Sequence, residues 1–480
     1  MIGKLDEVRS ISYKPIQSFI FIIVIFLSVF LLATQYYLYA LLPALIILFL
    51  FLLGRNPQIG YYLVIFFIPF TAFRGLSETY GYLTISKFVG FWIVIVILFY
   101  FFLKKIGSFD IKSNLWPLLF LFFGISLISS FISDYRLTSI DNIRQLVTSY
   151  IIFALTIIFL NQKSFTKTLP FIIIISISIS SLLAVIGYLF NIPFFAIHVG
   201  TESLKRGTGA AGDPNVLSAM VVFSLPILSY WFFITRKVLE KTFIAVLFLI
   251  NSIAMLSTYS RSGAIAFTAV LFLLVIVHRK RFKPKYFGFL ALITLIIIVA
   301  AVMFIPISYW ERQKSVTEAA DTAINRRISY LYAGWDAFKE NPIIGSGPGT
   351  FRDTYAMSVY SLQYPKDESG ERRYPAHNSY VEVLVGTGTI GFIVFGLIIL
   401  LVLRNFHISK KRFQLNGEEG IMLLIDAYRL SLIAILISFF FLSSLYIKYL
   451  WIILALSQGA LKLSKEISVN QENAVTAPLK

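Results

Sequence analysis

Four short stretches of this chain carry residues able to do chemistry on an anionic substrate. Y-P-A-H-N-S-Y, Tyr374 to Tyr380, sets His377 where a polar loop meets an apolar run, in a chain with four histidines. Asn378 follows at what reads as a helix start, with Glu382 one turn on. An Asn in that place caps the free N–H groups of the first turn. His377 would then lie by the positive end of the helix, a field that favours neutral imidazole, the form a general base needs. A structural histidine at a membrane interface is the competing reading. His198, His278 and His407 show no ligand spacing, so no metal is expected.

The other three stretches supply cations. K-R-G-T-G-A-A-G-D-P-N, Lys205 to Asn215, puts two cations before a Gly run whose exposed N–H groups would suit an anionic oxygen. A flexible loop ending in an ordinary helix start explains the same residues. S-T-Y-S-R-S-G, Ser257 to Gly263, holds Arg261 in a turn between two apolar runs. At that depth an Arg either snorkels or pairs with an anion. Residues 321–340 space Ile324, Ile328, Leu331, Trp335 and Phe338 as an amphipathic helix. Arg326 and Arg327 fall in its first part, and G-S-G-P-G, Gly345 to Gly349, makes a sharp turn after it. For the arginines a solvated face is equally open; for Trp335 and Phe338, packing in the loop or on the membrane surface is the better reading.

The elements that must position these residues are membrane helices. Of 480 residues 58% are hydrophobic and 14% charged, with a mean hydropathy of +0.81, far from the balance of a soluble protein. About fourteen apolar runs read as spans. They are 16–34, 37–53, 59–74, 84–103, 116–133, 142–161, 170–190, 215–234, 242–259, 262–278, 286–305, 378–403, 424–443 and 446–461. The third and tenth are short and the last two could be one broken helix, so twelve or thirteen is also possible. The first reads as a retained span, since it has no small-residue cleavage site. No cysteine is present, which excludes a thiol nucleophile.

With the N-terminus inside, Lys and Arg cluster in every second loop, the positive-inside pattern. That accounts for much of the net charge of +18 without nucleic acid as a partner. Both termini then lie in the cytoplasm, and all four stretches lie on the outer face. The organisation is transmembrane helices over 1–305 with an outer loop at 191–214, an extracytoplasmic loop domain at 306–376, C-terminal helices over 377–462 and a polar, mobile tail at 463–480. Three arginine-bearing segments and one histidine on one face fit group transfer from a lipid diphosphate, because the guanidinium fork matches phosphate.

In their order these motifs resemble the O-antigen ligase/polymerase family of bacterial surface-polysaccharide assembly. R-G-T-G-A-A-G-D-P-N-V-L-S-A is similar to its Arg-Gly…Pro-Asn…Ala segment, and S-R-S-G to its Ser-Arg-Gly turn. Arg327 to Phe351 resembles the Arg…Pro-x-x-Gly-x-Gly signature, and Ala376 to Gly391 the His-Asn…Gly-x-x-Gly element. The resemblance covers roughly 200–400. Leu331 departs from it, standing where an aromatic usually follows the Arg.

The resemblance implies an all-α polytopic fold of the membrane glycosyltransferase (GT-C-like) type in the bacterial plasma membrane, acting without metal or cofactor. It implies an undecaprenyl-diphosphate-linked glycan as donor and a lipid A-core or sugar hydroxyl as acceptor. By position, Arg206, Arg261 and Arg327 would hold the diphosphate and His377 would activate the acceptor. Arg327 is preferred to Arg326 by its offset to Pro342. Lys205, Asn215, Arg326 and Asn378 are secondary candidates. A Wzy-type polymerase fits the same motifs, and a transporter or flippase of lipid-linked sugars is the alternative of another class. A transporter would show more intramembrane charge or paired broken helices.

Overall fold

A computed structural model describes residues 24–34, 39–70, 85–102, 111–199, 204–279, 322–366, 370 and 372–476. The chain is an all-α polytopic membrane protein. Seven helices among the described residues are long and apolar enough to cross a membrane, eight if one bent pair is counted as a span. The expected span at 286–305 lies outside the described residues, as does the first part of the loop expected at 306–376.

Two compact units are distinguished, Met1–Val64 with Lys87–Gly107, and Ile65–Ser86 with Ser108–Lys480. In the first, α1 (Leu42–Arg55) and α2 (Pro57–Phe66) meet at an angle of 112°. Asn56 between them has φ −133° and ψ 70°, because the ring of Pro57 crowds the preceding residue out of the helical region. The helix α3 (Ile85–Phe102) ties back through Trp92, whose Nε1–H donates to the Leu50 carbonyl at 3.0 Å.

The second unit carries every candidate residue. It contains α4 (Trp116–Ile132), α5 (Arg136–Phe159), α6 (Leu169–Phe190), a hairpin of β1 (Ala196–Val199) and β2 (Leu204–Gly207), α7 (Pro214–Ile234), α8 (Val238–Ser257), α9 (Arg261–His278), α10 (Thr322–Glu340), α11 (Phe351–Met357), α12 (Ser379–Leu415), α13 (Glu419–Phe439) and α14 (Lys448–Thr476). At its centre is α7, packed against α6, α8, α9 and α13. Val222 and Leu225 of α7 close on Ala266 and Val270 of α9 and Ala434 of α13. The hydroxyl of Ser431 donates to the Phe223 carbonyl at 2.8 Å across the α13–α7 seam. Small and hydroxyl-bearing residues suit such seams, since in lipid close approach and polar pairing hold helices together.

The last two apolar runs are separate helices, α13 and α14, joined by 440–447, in keeping with the fourteen-span reading. Three features differ from the expectation or add to it. The polar tail expected to be mobile continues α14 as helix to Thr476. The loop at 191–214 is not wholly irregular, because β1 and β2 pair in antiparallel register with Ile197 opposite Arg206. The helix expected at 321–340 is present as α10, but Ile328, Leu331 and Trp335 of its apolar stripe are exposed. The face it buries is Tyr330, Ala333 and Ala337, against Phe351, Tyr355 and Val385. Small residues won that face because they allow close approach: a Cβ on Gly334 would lie 2.6 Å from Cγ1 of Val381.

Candidate functional site

The hairpin meets the 258–260 turn through Arg206, and Asp213, which follows the hairpin, acts by its charge on His377 at the start of α12. The start of α12 is built first by its cap. Asn378 Oδ1 accepts from the Tyr380 N–H at 3.0 Å and the Val381 N–H at 3.2 Å. Glu382 reaches back, its Oε1 accepting from the Ala376 N–H at 3.3 Å. Ser379 locks the same turn to the 440–447 link, donating to the Leu442 carbonyl at 2.6 Å and accepting from the Ser444 N–H at 2.9 Å.

His377 precedes this cap in the left-handed region, with φ 49°. That conformation costs a non-glycine residue about 1–3 kcal/mol, so the cap and the link must hold it. Its ring lies 6.0 Å from that of buried Tyr330. The imidazole pKa is lowered from 6.5 to about 4, first by burial, then by Arg327, with Arg326 and Arg352 adding to it and Asp213 opposing. Neutral imidazole is thus favoured, by burial first and by a cationic surround second. The guanidinium of Arg326 lies 5.1 Å from the centre of the Tyr374 ring, a cation–π contact. Arg327 is the stronger influence on His377 of the two.

The second cluster is formed around Asn215. Asp213 caps α7, its Oδ1 accepting from the Asn215 and Val216 N–H groups at 2.7 and 3.0 Å. Arg206 is buried, at 6% exposure. Its Nε–H donates to the Thr258 carbonyl at 2.7 Å and its Nη2 to Asn215 Oδ1 at 3.2 Å. The same Oδ1 accepts from the Ser260 hydroxyl at 2.7 Å, and Ser260 in turn caps α9 through the Gly263 N–H at 3.1 Å. Arg261 is the first residue of α9 and is partly buried. It therefore stands at a helix N-terminus, where an anion is favoured. Asp213 joins the two clusters: it starts the helix that bears Asn215, and its charge acts on His377.

These contacts give the cationic stretch structural tasks. Arg206 is buried and braces the turn that carries Arg261 through the Thr258 carbonyl and Asn215. Asn215 is the hub of that brace. Lys205 is bonded to the Tyr188 carbonyl and the Asn191 side chain and lies over the Tyr188 ring. The Gly run is no open cradle, since the N–H groups of Thr208 and Gly209 go to the Phe195 carbonyl and that of Ala210 to Ser180 Oγ. Its glycines serve contact: a Cβ on Gly209 would lie 2.2 Å from the Ser180 carbonyl oxygen.

The Gly-rich turn after α10 also has a structural task. Helix α12 breaks at Gly388, with φ 63° and ψ −168°. The break frees backbone groups that the turn satisfies. Val385 O accepts from the Ser346 N–H at 2.8 Å and Gly386 O from the Gly347 N–H at 3.0 Å. Ser129 of α4 adds its hydroxyl to Gly386 O at 2.8 Å. The two glycine motifs thus form one clip that fixes α10, with Arg326 and Arg327, against the helix that begins after His377.

Residues 244–396 match the family model described as O-antigen ligase. The matched segment is similar to that family. It takes in Arg261, α10, the clip and His377, and stops short of the hairpin with Arg206. Comparison with curated proteins gives no match. Sequence reasoning passed over Arg352 and Asp213. For Asp213 the signal was present, because Asp before Pro-Asn at an apolar run is a cap signature. Arg352 had none, being a lone cation in a polar stretch.

Proposed function

We propose that the chain transfers a glycan from undecaprenyl diphosphate to an acceptor hydroxyl on the outer side of the bacterial plasma membrane, with both termini in the cytoplasm. The observation that carries this reading is His377 in its left-handed turn, held before a capped helix, beside Tyr330 and within the influence of Arg327. Similarity of the segment to an enzymatic family supports the reaction class.

His377 takes the proton of the acceptor hydroxyl as that oxygen bonds to the anomeric carbon of the donor sugar. The bond from that carbon to the diphosphate oxygen breaks, and undecaprenyl diphosphate leaves with the electron pair. Arg261 and Arg327 stabilise the charge that develops on it, while Arg206 and Asn215 hold Arg261 in place. The arrangement couples binding to basicity. Without donor, the arginines depress the pKa of His377; once they pair with diphosphate, the depression eases and the imidazole becomes a stronger base.

The test is transfer by purified protein from a radiolabelled undecaprenyl-diphosphate glycan to defined acceptors. His377→Ala should abolish product while donor binding persists. Turnover at the native rate by that variant would overturn the role of His377, and donor carried across a vesicle membrane with no covalent product would overturn the transferase. A lipid A-core product marks a ligase, and a lengthened lipid-linked glycan marks a polymerase.

A further inference from the structure

A second candidate site lies apart from His377. A cavity of about 240 Å3 is lined by Tyr135, Asp353, Met357, Lys366, Arg372 and Arg373. Taking about 30 Å3 for each liquid water, it has room for about eight, the scale of one sugar ring. Asp353 is 3% exposed. Its Oδ1 accepts from Arg373 Nη2 at 2.5 Å, and its Oδ2 has no hydrogen-bond partner among the described residues. A buried carboxylate with one bare oxygen is costly for folding, so stability alone does not account for it.

What the pair does achieve is to fix Arg373, whose side chain stays 48% exposed. Arg372 is fixed in a similar way, its Nε–H donating to the Tyr364 carbonyl at 2.9 Å. Lys366 adds a third cation. Among the described lining residues three cations face one carboxylate, with two guanidinium forks anchored in advance. Met357 and Ala356 supply an apolar wall. Burial, and then the charge of Asp353, raise the pKa of the Tyr135 phenol, which keeps its O–H as a donor.

We propose that this cavity binds a sugar unit bearing a carboxylate, with Arg372, Arg373 and Lys366 on the anion and the ring against Met357. Guanidinium forks match a carboxylate in two parallel hydrogen bonds. A sugar hydroxyl reaching past Arg373 would complete Asp353 Oδ2. The cavity shares α11 with the His377 site, since Arg352, next to Asp353, acts on His377. Assigning the sugar to the glycan being transferred rests on the proposed function; the binding itself does not.

The experiment uses full-length protein in detergent micelles, titrated with glucuronate and with glucose and followed by saturation-transfer NMR. Glucuronate should bind at least about tenfold more tightly than glucose. Lys366→Gln and Arg372→Gln should each weaken it several-fold, while His377→Ala leaves it unchanged. Arg373→Gln is avoided as the deciding variant because it strips buried Asp353 of its ion-pair partner. Equal binding of the two sugars, or glucuronate binding indifferent to both substitutions, overturns the site. In the transfer assay, glucuronate competing with the donor glycan or with the acceptor glycan tells which of them fills the cavity. Transfer lost in His377→Ala but no glucuronate binding would remove the cavity and leave the transferase. Glucuronate binding without any transfer would do the reverse.

Discussion

Thr389 gives both its backbone N–H and its side-chain hydroxyl to the carbonyl of Pro342, each at 2.8 Å. The residue just past the break in α12 is thereby fastened to the end of α10, and with it the register between the arginines and His377.

Gly388→Ala tests that clip. The new Cβ would lie 2.3 Å from the Ile343 carbonyl oxygen, at φ 63°, where L side chains are strained. Strain and clash together should cost about 3 kcal/mol or more. Thermal unfolding in micelles should shift down, and limited proteolysis should cut the 341–350 turn, which native protein protects. Gly396→Ala, on the same helix with open space around it, should leave both unchanged.

How far the sequence disclosed this arrangement depends on what each residue's role required. The cap at Asn378 and the helix of Arg326 and Arg327 were legible, because both are local: a capping residue, and a period of three to four. The clip was visible only as two glycine-rich motifs. That they interlock is a contact between segments about forty residues apart, which no local pattern encodes. The bracing task of Arg206 was hidden for a related reason. Its type and its Gly-rich context fit a phosphate contact, yet its partners are the Thr258 carbonyl and Asn215, and only the packing of the hairpin against the 258–260 turn decides that. The exposed stripe of α10 follows the same logic, since hydrophobicity marks an apolar face but not which of two faces goes inward.

The cap of α12 should separate positioning from binding. Asn378→Ala removes the acceptor for two N–H groups and should cost about 1 kcal/mol. The left-handed His377 just before it loses its support, so kcat should fall about tenfold or more while KM for the donor changes little. Asn378→Asp keeps the acceptor and should restore most of kcat. An alanine variant with native kcat would show that the cap does not position His377.

Arg206 and Arg261 should differ in kind. Arg206→Ala leaves the Thr258 carbonyl without its buried donor and Asn215 Oδ1 with the Ser260 hydroxyl alone, and a lost hydrogen bond to a charged group costs about 1.5–3 kcal/mol. It should lower thermal stability and donor use together. Arg261→Ala should spare stability and raise donor KM about tenfold or more, with a weaker dependence on salt than native protein. Arg206→Lys, a charge without the fork, should not rescue. Equal stability losses in both alanine variants would contradict the brace.

The pH dependence follows from the surround of His377. With its pKa lowered to about 4, the free enzyme carries a neutral base at and above about pH 5, so kcat/KM should fall only as pH drops through about 4. An unshifted histidine would place that limb near 6.5. Bound diphosphate adds negative charge, so the acid limb of kcat should lie at higher pH than that of kcat/KM. Arg327→Gln removes the largest electrostatic cause and should move the kcat/KM limb upward, whereas Lys410→Gln, whose amine pairs with Asp426 at 2.6 Å, should not. The same linkage acts on stability. Between about pH 6.5 and 4 the unfolded chain takes up a proton that folded His377 refuses, so stability should decline as pH falls through that window, and His377→Gln should remove that part of the decline. Coincident acid limbs for kcat and kcat/KM near 6.5 would mean that the arginines do not set the basicity of His377.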